Sequence, residues 1–522
     1  MSNKTSKITR RQILRGIGGA GLLGLAGAGL SQWKGASKAH SNPGSNVDPK
    51  FLIVLTASGG ASLIDSFLAI RESESANASV LNVYPDKMVT QIDGSPFRAL
   101  DQKFSRLGQV PYAFETVQSS FLKKHKQDMM VVTQTGSSVT HDIAQRRSVT
   151  GNEIWSGRTL QEMVAYTYGE SYALPNVLLA TGTNFIEHGT DSSLPDYCFG
   201  EKVTNPGIWP LSLDGTKGVT KIDAELIRQV RLLRNESIDP HSRFTKLYSK
   251  NSLLNRWMGM RGTPLRKLEN QDLITKLMMY PDSEKFPLKK YGLSSSPSAA
   301  LVREKFPRME VDPLEAQAAL AFLLLKFRVS VTATIGPRLD LVIHGDEETI
   351  KQSLKGGAGS PKSIPAGSII NTPIAFDFCH QAHRGTQAFM WDRILTTADR
   401  LIDLLKSEEY ENGESFWDRT MIYIATDFGR SRKRPSGAIE FGSSHNLNNG
   451  FLILSPLVNG NKVLGGVDPD TAMTYGWDLQ TGAPDKGRHA EEKEIFAGIL
   501  QALGVDTSPA KLPDVRAMRK KV

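Results

Sequence analysis

Phe51-Leu52-Ile53-Val54-Leu55-Thr56-Ala57-Ser58-Gly59-Gly60-Ala61-Ser62 is the stretch whose reading decides the fold. A short apolar run ends in a glycine pair, which reads as a buried strand followed by a tight turn. The pattern recurs outward from there. Strands are expected at Asp128–Thr133, Asn176–Ala180, Thr420–Thr426 and Phe451–Leu454, and at Val329–Ile335, where β-branched residues alternate. Helical spacing is expected over Arg158–Tyr168, Ala224–Leu233, Leu314–Phe327, Trp391–Leu405 and Glu492–Leu503, the last stopped by Gly504. Residues 206–328 are more helical and more charged, and Gly356–Ser368 reads as a loop. Strands alternating with helices predict an α/β sandwich with a mostly parallel sheet. In such sheets, ligands bind at the carboxyl ends of the strands. No internal repeat is present.

The 522 residues carry a net charge of +9, with 39% apolar and 22% charged side chains. That balance is globular and excludes a collagen-like or wholly disordered chain. The charge is concentrated at one end. Residues 1–39 contain Lys4, Lys7, Arg10, Arg11, Arg15, Lys34 and Lys38 and no acid, so the remainder holds 56 basic against 54 acidic residues. A net charge of +2 gives little electrostatic reason to expect nucleic acid. Arg10-Arg11 precede a Gly/Ala/Leu run from Gly16 to Leu30, and Ser37-Lys38-Ala39 offers small residues for cleavage. The run is shorter than the roughly 20 residues that span a bilayer. The segment resembles a twin-arginine export signal. It implies passage through the twin-arginine machinery, a periplasmic or otherwise exported location, and no stable membrane span after cleavage. Residues 40–50 read as a linker. Gly16-Ile17-Gly18-Gly19-Ala20-Gly21 matches a dinucleotide fingerprint only formally, because no strand precedes it. Two cysteines, Cys198 and Cys379, exclude a disulfide-dense scaffold and leave one pairing open.

Metal-type ligands follow the expected strands. Asp65 follows the first, and His141 and Asp142 the second. Asp427 ends the Thr420–Thr426 run, with Phe428-Gly429-Arg430-Ser431 behind it and His445 beyond. Asp377, His380 and His383 crowd one short segment, and His380 and His383 would share a face if it were helical. Carboxylate plus neutral imidazole suits zinc, manganese or a similar divalent ion, with calcium and magnesium as further choices. Two such clusters on neighbouring strand ends could hold a metal pair that activates water for an in-line displacement. Thr135, Ser137, Ser138 and Thr140 are alternative nucleophiles. Arg430, Arg146 and Arg147 could hold an anionic ester. Asp427-Phe428-Gly429 also spells a kinase triplet, but no other kinase motif accompanies it.

Several pieces, in chain order, resemble one family. They are Gly59-Gly60-Ala61-Ser62-Leu63-Ile64-Asp65, Thr140-His141-Asp142 with Thr150-Gly151, and Phe376-Asp377 with His380. Then come Thr426-Asp427-Phe428-Gly429-Arg430-Ser431, Ser444-His445, and Ala497-Gly498-Ile499-Leu500 before Leu503-Gly504-Val505-Asp506. Together they resemble the DUF1501 family, whose members are similar to the alkaline phosphatase/sulfatase superfamily. The resemblance covers most of residues 50–510 and is weakest over 205–330. It implies one domain over residues 51–515, an alkaline-phosphatase-like three-layer sandwich with a helical insertion. It also implies metal-dependent hydrolysis of phosphate or sulfate esters. Asp65, His141, Asp377 and His445 match the family's positions. The chain departs from the pattern where Cys379 stands for a histidine, Asp427 for a glutamate and Ser444 for an aspartate. No Cys-x-Pro-x-Arg sulfatase motif is present. The departures at Cys379 and Ser444 keep a second expectation open, a non-catalytic envelope binding or assembly protein that retains the fold. A redox protein is the third, without a haem, iron–sulfur or dinucleotide motif to support it.

Overall fold

The glycine-ended strand lies inside an eight-stranded sheet. In the computed structural model, the described residues are 48–100, 116–180, 188–213, 242–248, 250–251, 273–337, 341–343, 366–370, 375–380 and 382–520. The export signal, most of the linker, the helix expected over Ala224–Leu233 and most of the Gly356–Ser368 loop lie outside them. The strands, in chain order, are β1 (Phe51–Thr56), β2 (Met129–Thr135), β3 (Asn176–Leu178), β4 (Glu201–Lys202), β5 (Thr332–Ile335) and β6 (Thr420–Ala425). A two-residue pair follows, β7 (Gly429–Arg430) with β8 (His445–Asn446), and then β9 (Asn448–Leu454) and β10 (Lys462–Leu464).

The order across the main sheet is β10-β2-β9-β6-β1-β5-β3-β4. Five of its seven neighbouring pairs are parallel, and only β9 runs against the rest. The protein is therefore mixed α/β with a large, mostly parallel central sheet. β1 pairs with β6 in register from Phe51 opposite Thr420 to Thr56 opposite Ala425. All six of its side chains are buried, because helices cover the sheet faces.

Those helices include α1 (His141–Ser148), α2 (Leu160–Tyr168), α3 (Pro313–Lys326), α4 (His383–Ser407) and α5 (Glu492–Ala502). α2 begins at a capping box: Thr159 Oγ1 accepts from the Glu162 amide and Glu162 returns a carboxylate oxygen to the Thr159 amide. In α3, Leu320, Phe322, Leu323, Leu324 and Leu325 are all 0% exposed. Burying each contributes about 1.5–3 kcal/mol. α4 starts eight residues before Trp391, where the helical spacing first reads. Its first turn is polar and buried, so its start left no amphipathic stripe to read.

Strand direction positions the site. β1, β2 and β6 point the same way, so their carboxyl ends share one edge of the sheet. Antiparallel β9 begins at that same edge and brings His445, three residues earlier, to it. Among the described residues no helix is long and apolar enough to cross a membrane. Cys198 and Cys379 are both buried free thiols and do not pair.

Candidate metal centre at the sheet edge

The turn after β1 organises the edge. Gly59 and Gly60 hold φ of 96° and 97°, where side chains with a Cβ are strained. The Gly59 amide donates to Asp427 Oδ1 at 3.0 Å, and the Ala61 amide to Thr426 Oγ1 at 3.0 Å. Gln387 of α4 clasps the same turn, accepting from the Ser62 amide at 2.9 Å and donating to the Gly60 carbonyl at 2.8 Å. The 3-10 segment Ala375–His380 docks on the turn through the Phe376 amide and the Ser58 carbonyl, at 2.9 Å. α1 is pinned by Gln145 to Ser58 at 3.2 Å and by the Tyr423 hydroxyl to the Ser148 carbonyl at 2.7 Å. His141 is the first residue of α1, so it is held at the helix start facing the edge.

Three imidazoles converge on one carboxylate oxygen. Asp377 Oδ1 lies 3.5 Å from His141 Nε2, 3.1 Å from His445 Nε2 and 3.2 Å from His380 Nε2. The His380 and His445 Nε2 atoms are 3.0 Å apart. The far nitrogens of two rings are already engaged. His141 Nδ1 donates to Asp427 Oδ2 at 2.7 Å, and His445 Nδ1 donates to the Val139 carbonyl at 2.9 Å. Those bonds fix the tautomers and turn the Nε2 lone pairs toward Asp377. Phe428 stacks on His445, with ring centroids 3.9 Å apart.

A lone pair 3.1 Å from a carboxylate oxygen needs a proton or a cation between them. Burial alone pushes His141 down, but hydrogen bonds to Asp377 and Asp427 push it up to about 9. Burial raises Asp377, yet bonds from His141 and His445 and the Arg430 charge hold it well below the carboxylate range. Burial, then the Arg430 charge, lowers His380. The donor set fits one divalent cation. Bonds of about 2.0–2.1 Å in a tetrahedral shell place ligand atoms about 3.3 Å apart. Asp377 Oδ1 lies 3.1 to 3.5 Å from the three Nε2 atoms, and the ligand atoms of His141, Asp377 and His445 all lie within 4.8 Å of one another. His141, Asp377 and His445 form the group able to hold an ion among the described residues, and His380 stands at its mouth, 38% exposed.

The other expected residues occupy different places. Asp427 is fully buried behind His141 and supports that ring. Asp65 and His383, both expected as ligands, pair with each other at 3.0 Å in a separate buried network. Asn82 donates to Asp65 at 3.0 Å, the Tyr84 hydroxyl also donates to it, and Ser443 Oγ meets His383 Nδ1 at 2.7 Å. His380 and His383 do not share a face, because one ends the 3-10 segment and the other starts α4. Arg430, expected to hold an anionic ester, is buried and bonded within the protein. Its guanidinium is buried against the Gly59, Phe376 and Ser443 carbonyls and reaches Asp377 at 2.7 Å. Arg147 pairs with Glu153 at 2.6 Å. Of the hydroxyls, Thr135 meets His489 at 2.9 Å, Ser137 donates to Glu492 at 2.8 Å, and Ser138 accepts from the Thr140 amide at 3.0 Å. Thr140 is exposed at the start of α1. Gln387, Asn82, Tyr84 and the Val139 carbonyl carry no motif and are recruited only by the tertiary fold.

No family model matches the chain. No curated protein matches it either. Two solved structures are similar to it, Ps i-CgsB and Ps i-CgsB in complex with k-i-k-neocarrahexaose. Each is 9% identical over 90% of this chain and 75% of that one, with TM-scores of 0.26 and 0.25. Alignments at that level carry no inference about fold or chemistry.

Proposed function

We propose that this chain is an exported hydrolase of the DUF1501 kind, similar in fold to the alkaline phosphatase/sulfatase superfamily, that cleaves phosphate or sulfate esters at one divalent cation. The supporting observation is the grouping of His141, Asp377 and His445, whose ligand atoms all lie within 4.8 Å of one another, with His380 Nε2 3.2 Å from Asp377 Oδ1 at the mouth. A nitrogen-rich set favours zinc over calcium or magnesium. A bound cation would lower the pKa of a coordinated water and polarise an ester oxygen. His141, Asp377 and His445 would hold it, while Asp427 and the Val139 carbonyl orient two of the rings and Arg430 positions Asp377. His380, the most exposed of the three imidazoles, is placed to carry a proton at the mouth. The attacking group would be water or a Ser/Thr hydroxyl; Thr140 is exposed at the start of α1 beside His141, whereas Thr135 and Ser137 bond to His489 and Glu492.

The Arg430–Asp377 ion pair favours a second reading, because it neutralises the carboxylate without a cation. That reading is a non-catalytic envelope binding or assembly protein. Metal content and turnover on a broad panel of phosphate and sulfate esters separate the two. The hydrolase carries about one zinc per chain and turns over esters, and His141→Ala loses both. Protein that stays metal-free in added zinc and cleaves nothing is the second reading.

A further inference from the structure

The buried Asp65–His383 network and the metal cluster meet at one side chain. Ser443 is 4% exposed and stands two residues before His445. Its hydroxyl lies 2.7 Å from His383 Nδ1 and 3.4 Å from the Cys379 carbonyl, and its amide donates to that same carbonyl at 2.8 Å. Burial disfavours a charged His383 ring, but the Asp65 charge and hydrogen bond keep it protonated at neutral pH. Both ring nitrogens then carry protons, so the Ser443 hydroxyl accepts from Nδ1 and donates to the Cys379 carbonyl. The Ser443 carbonyl in turn accepts from Arg430 Nη1 at 3.2 Å, while Arg430 Nη2 reaches Asp377 at 2.7 Å. Gly442 lets the two chains close up, since a Cβ there would fall 2.4 Å from the His380 carbonyl oxygen. The segment carrying Asp377 and His380, the approach to His445 and the Arg430 guanidinium are thus all bonded at residue 443.

We propose that Ser443 is a positioning residue for the cluster: its hydroxyl, anchored on His383, fixes where His445 stands relative to Asp377. The bearing on metal binding rests on the hydrolase reading; the placement of His445 does not. Removing the hydroxyl leaves a buried imidazolium N–H without its partner and one bond fewer between residues 379 and 443, a loss that the buried site cannot make good with water. The chain two residues on then shifts, and His445 Nδ1 loses its hold on the Val139 carbonyl, 2.9 Å away. The ring no longer keeps the tautomer that turns its Nε2 lone pair toward Asp377.

The test reads His445 in the chelator-treated full chain by proton–nitrogen NMR of the imidazoles, with its signal assigned by absence in His445→Gln. In wild type, the Nδ1 proton held on the Val139 carbonyl gives an observable signal. Ser443→Ala loses it to exchange with water, and Ser443→Thr, which keeps the hydroxyl, restores it. Zinc affinity, measured by chelator competition, falls about tenfold in Ser443→Ala and recovers in Ser443→Thr. A serine with only a structural part lowers the urea midpoint and moves neither readout. An unchanged His445 signal in Ser443→Ala overturns the inference, and so does an unchanged zinc affinity or a loss that Ser443→Thr does not repair. A wild-type His445 proton that exchanges freely also overturns it, because the ring is then not held. If wild type takes up no zinc, the hydrolase reading fails, and the NMR comparison still decides the part of Ser443. Should Ser443→Ala not fold, Ser443→Cys replaces it, keeping the volume, weakening the bond and giving the same direction of change.

Discussion

At the scale of single residues, the side chains behind the ligands decide as much as the ligands. Asp427 Oδ1 accepts from the Gly59 amide and Oδ2 accepts from His141 Nδ1. In Asp427→Asn one atom still accepts from Gly59, but the amide nitrogen now donates toward His141. The ring must then carry its proton on Nε2, facing Asp377. Zinc affinity is expected to fall about 10–100-fold, with an unchanged circular dichroism spectrum. A competition titration with a chromophoric chelator measures it, and wild-type affinity in the variant would remove Asp427 from the site. The Asp65–His383 pair, both groups fully buried, governs stability instead. Burial alone lowers His383, but the Asp65 charge and hydrogen bond push it up to about 10 from 6.5. Burial alone raises Asp65, and His383 holds it well below 3.8. The folded state therefore binds the histidine proton more tightly than the unfolded chain does. That contribution is complete below about pH 6.5 and is lost as pH rises through about 10. The aspartate's share is present above pH 3.8 and is lost as acid approaches its folded value. Urea midpoints should fall between pH 6.5 and 10. Asp65→Asn should lose about 3–5 kcal/mol at neutral pH and flatten that slope. A variant with the wild-type slope would assign the pH dependence to other groups.

At the scale of elements, the sequence reveals strands better than it reveals what joins them. β1 and β6 are uninterrupted apolar or β-branched runs, as is β2 up to Thr133, so burial alone marks them. β9 is harder to read because Asn448, Asn449 and Gly450 open it, and the reading begins only at Phe451. Its antiparallel direction, which delivers His445, is a tertiary property with no local signal. The site was legible in part for the same reason. His141, Asp377 and His445 follow strands or sit beside a named motif, whereas the separation of Asp65 from the cluster depends on Asn82 and Tyr84, which no pattern selects. The Gly59-Gly60 turn is where strand and site meet, and it gives a direct test. A Cβ on Gly60 would sit 2.6 Å from Arg430 Nε, and φ of 97° adds backbone strain. Gly60→Ala should cost about 1–3 kcal/mol and displace the guanidinium that positions Asp377. Chemical denaturation reads the first effect and zinc affinity the second. A variant as stable as wild type would mean the turn relaxes without consequence.

At the scale of the molecule, the net charge is unevenly distributed along the chain and the cluster joins distant segments. Most of the +9 sits in residues 1–39, and the remainder is close to neutral, the distribution that the proposed export signal would give. The cluster ties together four segments far apart in sequence: the start of α1, the 375–380 turn, the residues after β6, and β8. An ion held there bridges residues up to 304 positions apart, from His141 to His445. Its loss should be felt by the whole folded unit. A ligand that binds only the folded state stabilises it by mass action, about 2.7 kcal/mol when free metal is 100 times its dissociation constant. For a chain of this size that is a rise in melting temperature of roughly 2–3 °C. Zinc added to chelator-treated protein should produce it and excess chelator reverse it. His141→Ala should melt at one temperature under both conditions. If the variant shifts as much as wild type, zinc is acting elsewhere and the cluster at the sheet edge is not its site.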